Sequence, residues 1–442
     1  MRHLFVWIHR YVGLAMALFL IIEGLTGSLL AFRGDLTRLF DPVLASAPPM
    51  PGAPKLDLAT LIKRTEALEP RATLAGRMPF PGDTVILHMH TRTDPPTGRP
   101  YDLGLTSLYF YIALDPWTGK ELKRLQQGMY TEGFLPNVMP VVYDLHKTLI
   151  LGGTGVWILA IVALLWTIDC FVGFYLTLPL KFESFWRRWK PAWLIKWRGG
   201  FYRVNFDLHR AGGLWFWAML FVFAWSSVEL LDRTGAYHFV MGKLFDYQTQ
   251  EEIESLAPSS SKTGPLELDL HAAQTAGDKL MAELAQREGF KIEKPFALYC
   301  NEDSRQCSYT VRTDRWFPND QDATVNFDAD TGAFRSTYQT NTGHAGDTVS
   351  NWLFALHLVQ NPVDYLAYRI FVAVLGIVIV MLSVTGVYIW WKKRCARVKS
   401  RRVPAGASPA RVSRSWRSVV SVAWSSATAA AKRTQQSRGV RH

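Results

Sequence analysis

Four histidines stand at matched places in the sequence. His9 and His209, 200 residues apart, each begin the pattern H-R-x-x-G ("HRYVG" and "HRAGG") at the mouth of an apolar run. His146 and His357 each follow a leucine inside a short apolar segment, "VVYDLHKTLILGG" and "NWLFALHLVQNP". An imidazole at membrane depth is costly without a partner, so it marks a functional site by default. Neutral imidazole is also a standard axial ligand for haem iron, and two from separate helices at one depth can clamp one haem from both faces. The pairing by depth is His9 with His209 and His146 with His357. The competing reading makes each histidine the polar tip of an interfacial anchor. One isolated copy would fit that reading, whereas two copies of two motifs, at both membrane faces, favour a cofactor.

The neighbours fit the same chemistry. Gly13 and Gly213 come four residues after their histidines, on the same helical face, where a side chain would obstruct a flat macrocycle. Arg10 and Arg210 stand at the water boundary, where propionates need charge partners. No C-x-x-C-H is present, so two haems would be held without covalent attachment, by His9, His209, His146 and His357. Among other candidates, Glu23, Asp169 and Glu229 are acids in or near apolar runs. Glu23 and Asp169 fit a bond to a neighbouring helix better than a proton relay. His88 and His90 alternate along a strand but lack further metal ligands. His344 offers an alternative ligand or a substrate contact, and Trp352 either anchors the interface or packs near His357. No G-x-G-x-x-G follows a strand and no Walker motif occurs, so nucleotide binding by the chain itself is unsupported.

These residues need elements to hold them at depth. Of 442 residues 49% are hydrophobic and only 19% charged, and four apolar stretches near 11–32, 155–178, 212–231 and 365–391 are long enough to span a bilayer. The first is too long for the apolar region of a cleaved signal peptide. Lys181–Arg210 carries eight Lys/Arg against Glu183 and Asp207, and the tail from Lys392 carries fourteen and no acid. With Arg2 and Arg10 these segments hold a net +22 (24 basic less two acidic) of the chain's +12. The positive-inside rule puts both termini and the middle connection in the cytoplasm and the two long polar segments outside. The basic excess reads as topology and attraction to anionic lipid rather than to nucleic acid. None of the spans reads as broken, which argues against a permease.

Span, external segment, span occurs twice. Each external segment opens on a helical pattern, "LDLATLIKRTEAL" or "LDLHAAQTAGDKLMAELA", and ends in two strands around D-x-x-T-G, Asp115–Gly119 and Asp328–Gly332. The glycine at the turn is a hairpin signal, and each segment reads as a small α+β unit. The following spans end alike, with Gly173 and Tyr175 matching Gly386 and Tyr388. Cys300 and Cys307 flank an external hairpin, where oxidation can occur, and are expected to pair, whereas Cys170 and Cys395 have no partner nearby.

The chain resembles the PepSY-associated transmembrane family, and particularly its siderophore-iron reductase members. The resemblance runs from His3 to Lys393 and rests on "HRYVGLAMALFLIIEGLTGSLLAF", "DLHRAGG", "LHKTLILGGTG", the two D-x-x-T-G hairpins and "SVTGVYIWW". The tail after Arg394 is long for the family, and "LHLVQNP" lacks the glycine that commonly follows this histidine. The resemblance implies an α-helical bacterial inner-membrane protein with four transmembrane helices in two repeats, two periplasmic PepSY-like units and two haem b. The expected organisation is span 1 at 1–33 and unit 1 at 34–145, then an interfacial helix with span 2 at 146–180. A basic cytoplasmic loop at 181–208 leads to span 3 at 209–231 and unit 2 at 232–348. A second interfacial helix with span 4 covers 349–391, and the cytoplasmic tail 392–442. The implied activity is an electron conduit that takes electrons from a cytoplasmic reductase or quinol. It would reduce ferric siderophores outside, since ferrous iron is held less well by hard-oxygen chelators. A non-catalytic PepSY envelope protein leaves the histidines unexplained, and a siderophore or iron permease is the third class. In the tail, Trp416, Val419, Val420 and Trp424 recur at helical spacing among basic residues, which suits either a helix on the inner leaflet or a disordered segment.

Overall fold

A computed structural model describes residues 1–45, 47, 50, 52–78, 84–104, 107–231, 233–247, 264–302, 304–315, 322–338, 344–359 and 365–401. The proposed tail helix around Trp416 and Trp424 lies outside these residues. The chain begins with α1 (Arg2–Leu30), α2 (Arg33–Phe40), α3 (Pro42–Ala45) and α4 (Leu58–Leu68). Strands β1 (Ala72–Met78), β2 (Val85–Thr91), β3 (Thr93–Asp94), β4 (Arg99–Pro100), β5 (Tyr109–Leu114) and β6 (Glu121–Gln126) follow. Next come α5 (Val138–Thr148), α6 (Gly153–Thr177), α7 (Phe185–Trp189), α8 (Phe201–Trp215), α9 (Trp217–Leu231) and α10 (Ala236–Leu244). The second half continues with α11 (Leu270–Glu288), β7 (Ile292–Asn301), β8 (Gln306–Thr313), β9 (Asp322–Asp328) and β10 (Phe334–Tyr338). It closes with α12 (Ala345–Leu358) and α13 (Leu366–Arg401).

Among the described residues three helices are long and apolar enough to cross a membrane: α1, α6 and residues Leu366–Val398 of α13. The expected third span is different. α8 and α9 meet at a 69° bend, so the sequence-based expectation of unbroken spans is wrong at this point. Phe216 leaves helical dihedrals there (φ −104°, ψ 5°), just after the Gly212–Gly213 pair, and such glycine pairs are a common cause of kinks. Alone, α9 has 15 residues, about 22 Å at ~1.5 Å per residue, short of a ~30 Å hydrocarbon core. A break like this leaves no trace in hydropathy, because Trp215, Phe216 and Trp217 are as apolar as their neighbours.

The long helices pack through Met16 and Leu20 of α1, Val162 of α6, Phe223 of α9, and Leu375 and Ile379 of α13. α1 and α13 cross where both backbones are bare. A Cβ on Gly24 would lie 2.6 Å from the Gly376 carbonyl oxygen, and Ser28 donates to the Ala373 carbonyl at 2.9 Å. Small residues four apart are what lets membrane helices approach this closely.

Two four-stranded antiparallel sheets, ordered β1-β2-β5-β6 and β10-β9-β8-β7, join the ends of these helices. Their helices start alike. Asp57 caps α4 through Thr60 N–H, and Asp269 caps α11 through Ala272 N–H. Alternate residues of β8 (Cys307, Tyr309, Val311) are buried, the period-two signature of a half-buried strand. They share one apolar core with Ile62, Leu87 and Phe110 of the first sheet. Both D-x-x-T-G turns form hairpins. The carboxylates of Asp115 and Asp328 accept the N–H groups of Thr118 and Thr331, and Gly119 (φ +66°) and Gly332 (φ +72°) take the left-handed position. The Asp328 carboxyl would be raised by burial alone, yet N–H groups of Thr331 and Asp330 and the Arg335 guanidinium hold it down at about 2. Cys300 and Cys307 face each other on β7 and β8 and are disulfide-bonded.

The chain divides into Met1–Val387, which holds the helices and sheets above, and Tyr388–His442. In the latter the described residues continue α13, with Lys392 over the Tyr388 ring at 5.7 Å.

Candidate functional site

The first half of α1 turns His9 toward α6, where both carboxylate oxygens of the largely buried Asp169 lie 3.0 Å from Nδ1. α8 brings His209 to the same end of the bundle. Its Nδ1 is 2.9 Å from the Leu382 carbonyl oxygen and 3.2 Å from Thr385 Oγ1 on α13. A carbonyl oxygen can only accept, so His209 must carry its proton on Nδ1, which leaves Nε2 with a lone pair. The two rings are 6.0 Å apart between centroids, inclined at 56°. Two imidazole nitrogens, each ~2 Å from one metal, would place ring centroids roughly 6 Å apart. The two imidazoles are therefore close enough to hold one metal between them.

At the sheet-bearing end His146 and His357 lie on α5 and α12, in the last turn of each helix. His146 Nδ1 is 2.8 Å from Thr26 Oγ1 and 2.9 Å from Glu23 Oε2, both on α1. The Thr26 hydroxyl points its proton at the Ile22 carbonyl (2.7 Å), so toward the imidazole it accepts. His357 Nδ1 is 2.7 Å from Ser226 Oγ on α9, and Ser226 in turn donates to the Phe223 carbonyl at 3.1 Å. Each of the four histidines thus has a hydrogen-bond partner at Nδ1, and none has one at Nε2 among the described residues. In metal-ligating histidines an acceptor bonded to the other ring nitrogen fixes the tautomer and the ring orientation.

The backbone is shaped for these rings. A Cβ on Gly173 would be 3.5 Å from His9 Cε1, on Gly386 3.1 Å from His209 Cε1, and on Gly27 3.3 Å from His146 Cε1. Beside His357 the Phe223 ring takes that place, 5.0 Å between centroids. Immediately after His146, Leu149 and Ile150 both sit in the left-handed region (φ 55° and 58°). Non-glycine residues there are strained and persist where surrounding structure holds them. Here α5 is braced by Asp144, which accepts from Tyr130 OH at 3.2 Å and from Thr148 Oγ1 at 2.6 Å. Burial, then the Asp144 charge, push the Tyr130 phenol up to about 12, so it stays a donor.

Of the remaining sequence candidates, Arg10 has no hydrogen-bond or ion-pair partner among the described residues. Arg210 instead donates to the Pro191 carbonyl (2.6 Å) and to Asp207 (2.8 Å). A Cβ on Gly13 would meet nothing within 4 Å, and one on Gly213 would only touch Leu382 at 4.0 Å. His344 pairs with Asp246 at 3.0 Å, holding that carboxyl below its ordinary range. It directly precedes α12, thirteen residues before His357, and so lies about 20 Å away along the helix at ~1.5 Å per residue. His88 stacks on Tyr111 (4.7 Å) and His90 contacts Tyr109 (4.6 Å). Among the described residues no three His, Cys, Asp or Glu side chains form a metal cluster.

Sequence reasoning missed Thr26, Ser226, Thr385, Gly27 and, as histidine contacts, Gly173 and Gly386. One signal was available. His9 to Thr26 and His209 to Ser226 are both steps of 17 residues, so a hydroxyl recurs at the depth of the second histidine pair.

Residues 6–393 match the family model described as the PepSY-associated TM region. The chain belongs to this family. A comparison with curated proteins finds no match. As a PepSY-associated TM protein it is membrane-embedded, with apolar helices in contact with the lipid bilayer and α+β sheets attached. All four histidines fall inside the matched region, so the paired arrangement lies in the part of the chain that defines membership.

Proposed function

We propose that this PepSY-associated TM protein is a haem-containing electron conduit of a bacterial inner membrane, which reduces ferric siderophores on the periplasmic side. The observation that carries the reading is the shared geometry of the four histidines, each with a hydrogen-bond partner at Nδ1 and none at Nε2 among the described residues, with the His9 and His209 rings 6.0 Å apart. Bound haem b, one per pair, would supply the one-electron redox chemistry. The chain's own part is to present His9 and His209 at one level and His146 and His357 at the other. The levels are about 25 Å apart along α1, counting 17 residues from His9 to Thr26 at ~1.5 Å each. Asp169, Glu23, Thr26, Ser226 and the Leu382 carbonyl keep the rings in one tautomer. Arg10 stands where a propionate at the His9 level would need a cation. The matched order of elements in the two halves is what an internal duplication would leave, and the charge bias of the sequence favours sheets in the periplasm and both termini in the cytoplasm. One electron from a cytoplasmic reductase or a quinol converts each ferric chelate to its ferrous form, which hard-oxygen ligands hold less tightly.

Stopped-flow absorbance tests the activity. Dithionite-reduced protein is expected to be reoxidised by a ferric siderophore and not by the same chelator loaded with gallium, which cannot accept the electron under these conditions. Equal rates with both metals, or no reoxidation by any ferric chelate, would count against a reductase. A permease is the second reading, favoured by the 69° bend at Phe216, since broken helices often line transporter sites. Uptake of labelled ferric siderophore into proteoliposomes without any electron donor would support it.

A further inference from the structure

The connection between α6 and α8 is unusually exposed for so apolar a stretch. Leu180, Phe182, Trp186, Leu194, Trp197 and Phe201 are each between 52% and 81% accessible. Among them stand Lys181, Arg187, Arg188, Lys190, Lys196 and Arg198, none ion-paired to a carboxylate among the described residues. The segment is nevertheless built. Phe182, Phe185, Trp186, Trp189 and Trp193 form a run of ring contacts at 5.2–6.0 Å. Trp189 Nε1 donates to Thr177 Oγ1 at the end of α6, and Trp215 Nε1 on α8 donates to the Trp193 carbonyl. The run ends in a turn closed by Gly199 N–H on the Lys196 carbonyl (2.8 Å). That turn borders a shallow, open recess of about 540 Å³ lined by Lys196, Trp197, Arg198 and Gly199. The acid nearest it is already engaged: Asp207, fully buried, accepts from Arg203, Arg210 and the Lys196 backbone N–H.

We propose that the Lys196–Gly199 turn binds the phosphate headgroup of an anionic phospholipid, with the exposed aromatic residues around it set into the headgroup layer. Two cations without a carboxylate partner among the described residues line one recess, in the connection between α6 and α8. Tryptophans interleaved with lysine and arginine are the composition of a bilayer interface, not of a water-facing loop. An apolar patch of this extent needs a cover, and the bilayer to which the helices belong supplies one. Lys196 N–H also bonds to Asp207 in the middle of α8, two residues before His209, which ties the turn to that helix.

The test uses the full-length, delipidated protein and native mass spectrometry, titrating phosphatidylglycerol against phosphatidylcholine of the same chains. Phosphatidylglycerol is expected to bind about tenfold tighter, and Lys196→Gln with Arg198→Gln to remove that preference, as loss of two headgroup contacts should. Lys181→Gln with Lys190→Gln, outside the recess, should change affinity by less than about twofold. If the double variant does not fold by circular dichroism, Arg198→Gln alone carries the test, with a several-fold loss expected. Equal affinity for the two lipids, or an unchanged preference in the folded recess variant, overturns the proposal. So does competition by millimolar inorganic phosphate as effective as the lipid, which would make this a free-phosphate site. Salt-sensitive binding of polyglutamate without any lipid preference would overturn it in favour of an acidic protein partner.

Discussion

Asp169 and Glu23 place a carboxylate behind His9 and His146, while His209 and His357 have only neutral oxygens behind them. A carboxylate acceptor makes an imidazole a more basic ligand, so each proposed centre would join one strong donor to one ordinary one. Asp169→Asn retains an oxygen for the Nδ1 proton and removes the charge. The His9/His209 centre is expected to remain and its midpoint potential to rise on the order of 60 mV, a tenfold change in a one-electron equilibrium. A potential unchanged in spectroelectrochemistry would reduce Asp169 to a positioning role. Removing a ligand is more severe. His209→Ala should abolish one haem and spare the other, and His357→Ala the reverse. If His357→Ala leaves both haems but His344→Ala removes one, the pairing at the sheet-bearing end is wrong. The structure already sets His344 apart, against Asp246.

At the level of elements, two glycines of α1 make opposite predictions. Gly24→Ala puts a methyl against the Gly376 carbonyl and should destabilise the α1–α13 crossing by about 1–3 kcal/mol, read as earlier thermal unfolding in detergent. Gly13→Ala meets nothing within 4 Å and should leave unfolding of the cofactor-free protein unchanged. In the second sheet Asp328→Asn removes a carboxylate that Arg335 and two N–H groups hold at about 2. Its folded pKa lies below the ~3.9 of an unfolded aspartate, so its stabilisation is complete above pH ~4 and is lost as pH falls toward 2. The variant should therefore be weaker than wild type at neutral pH by about 1–2 kcal/mol, and the gap should close in acid. These hairpins were legible in the sequence because D-x-x-T-G is local chemistry, an aspartate capping its own turn and a glycine taking the left-handed position. The histidines were legible because their motifs recur. Gly27, Gly173 and Gly386 were not read as histidine contacts, since each meets a ring more than 100 residues away and no local pattern encodes that. The bend at Phe216 was hidden for a related reason, as an unbroken hydropathy profile does not report on backbone dihedrals.

At the scale of the whole molecule, the proposed orientation rests on the charge bias of the sequence and can be tested directly. Cys395, exposed near the end of the described α13, should react with an impermeant maleimide only after the inner membrane is opened. Labelling in intact spheroplasts would invert the proposed orientation and place the sheets in the cytoplasm, where the Cys300–Cys307 bond would be out of keeping. The central claim is the pairing of four histidines into two haem centres, and a reduced-minus-oxidised spectrum of the purified protein, with the haem counted against protein, tests it most directly. Two low-spin b-type haems per chain, extractable by acid-acetone because no covalent attachment motif is present, are expected. Protein purified without haem, after expression with ample haem supply, would contradict the account and return the four histidines to the role of interfacial anchors.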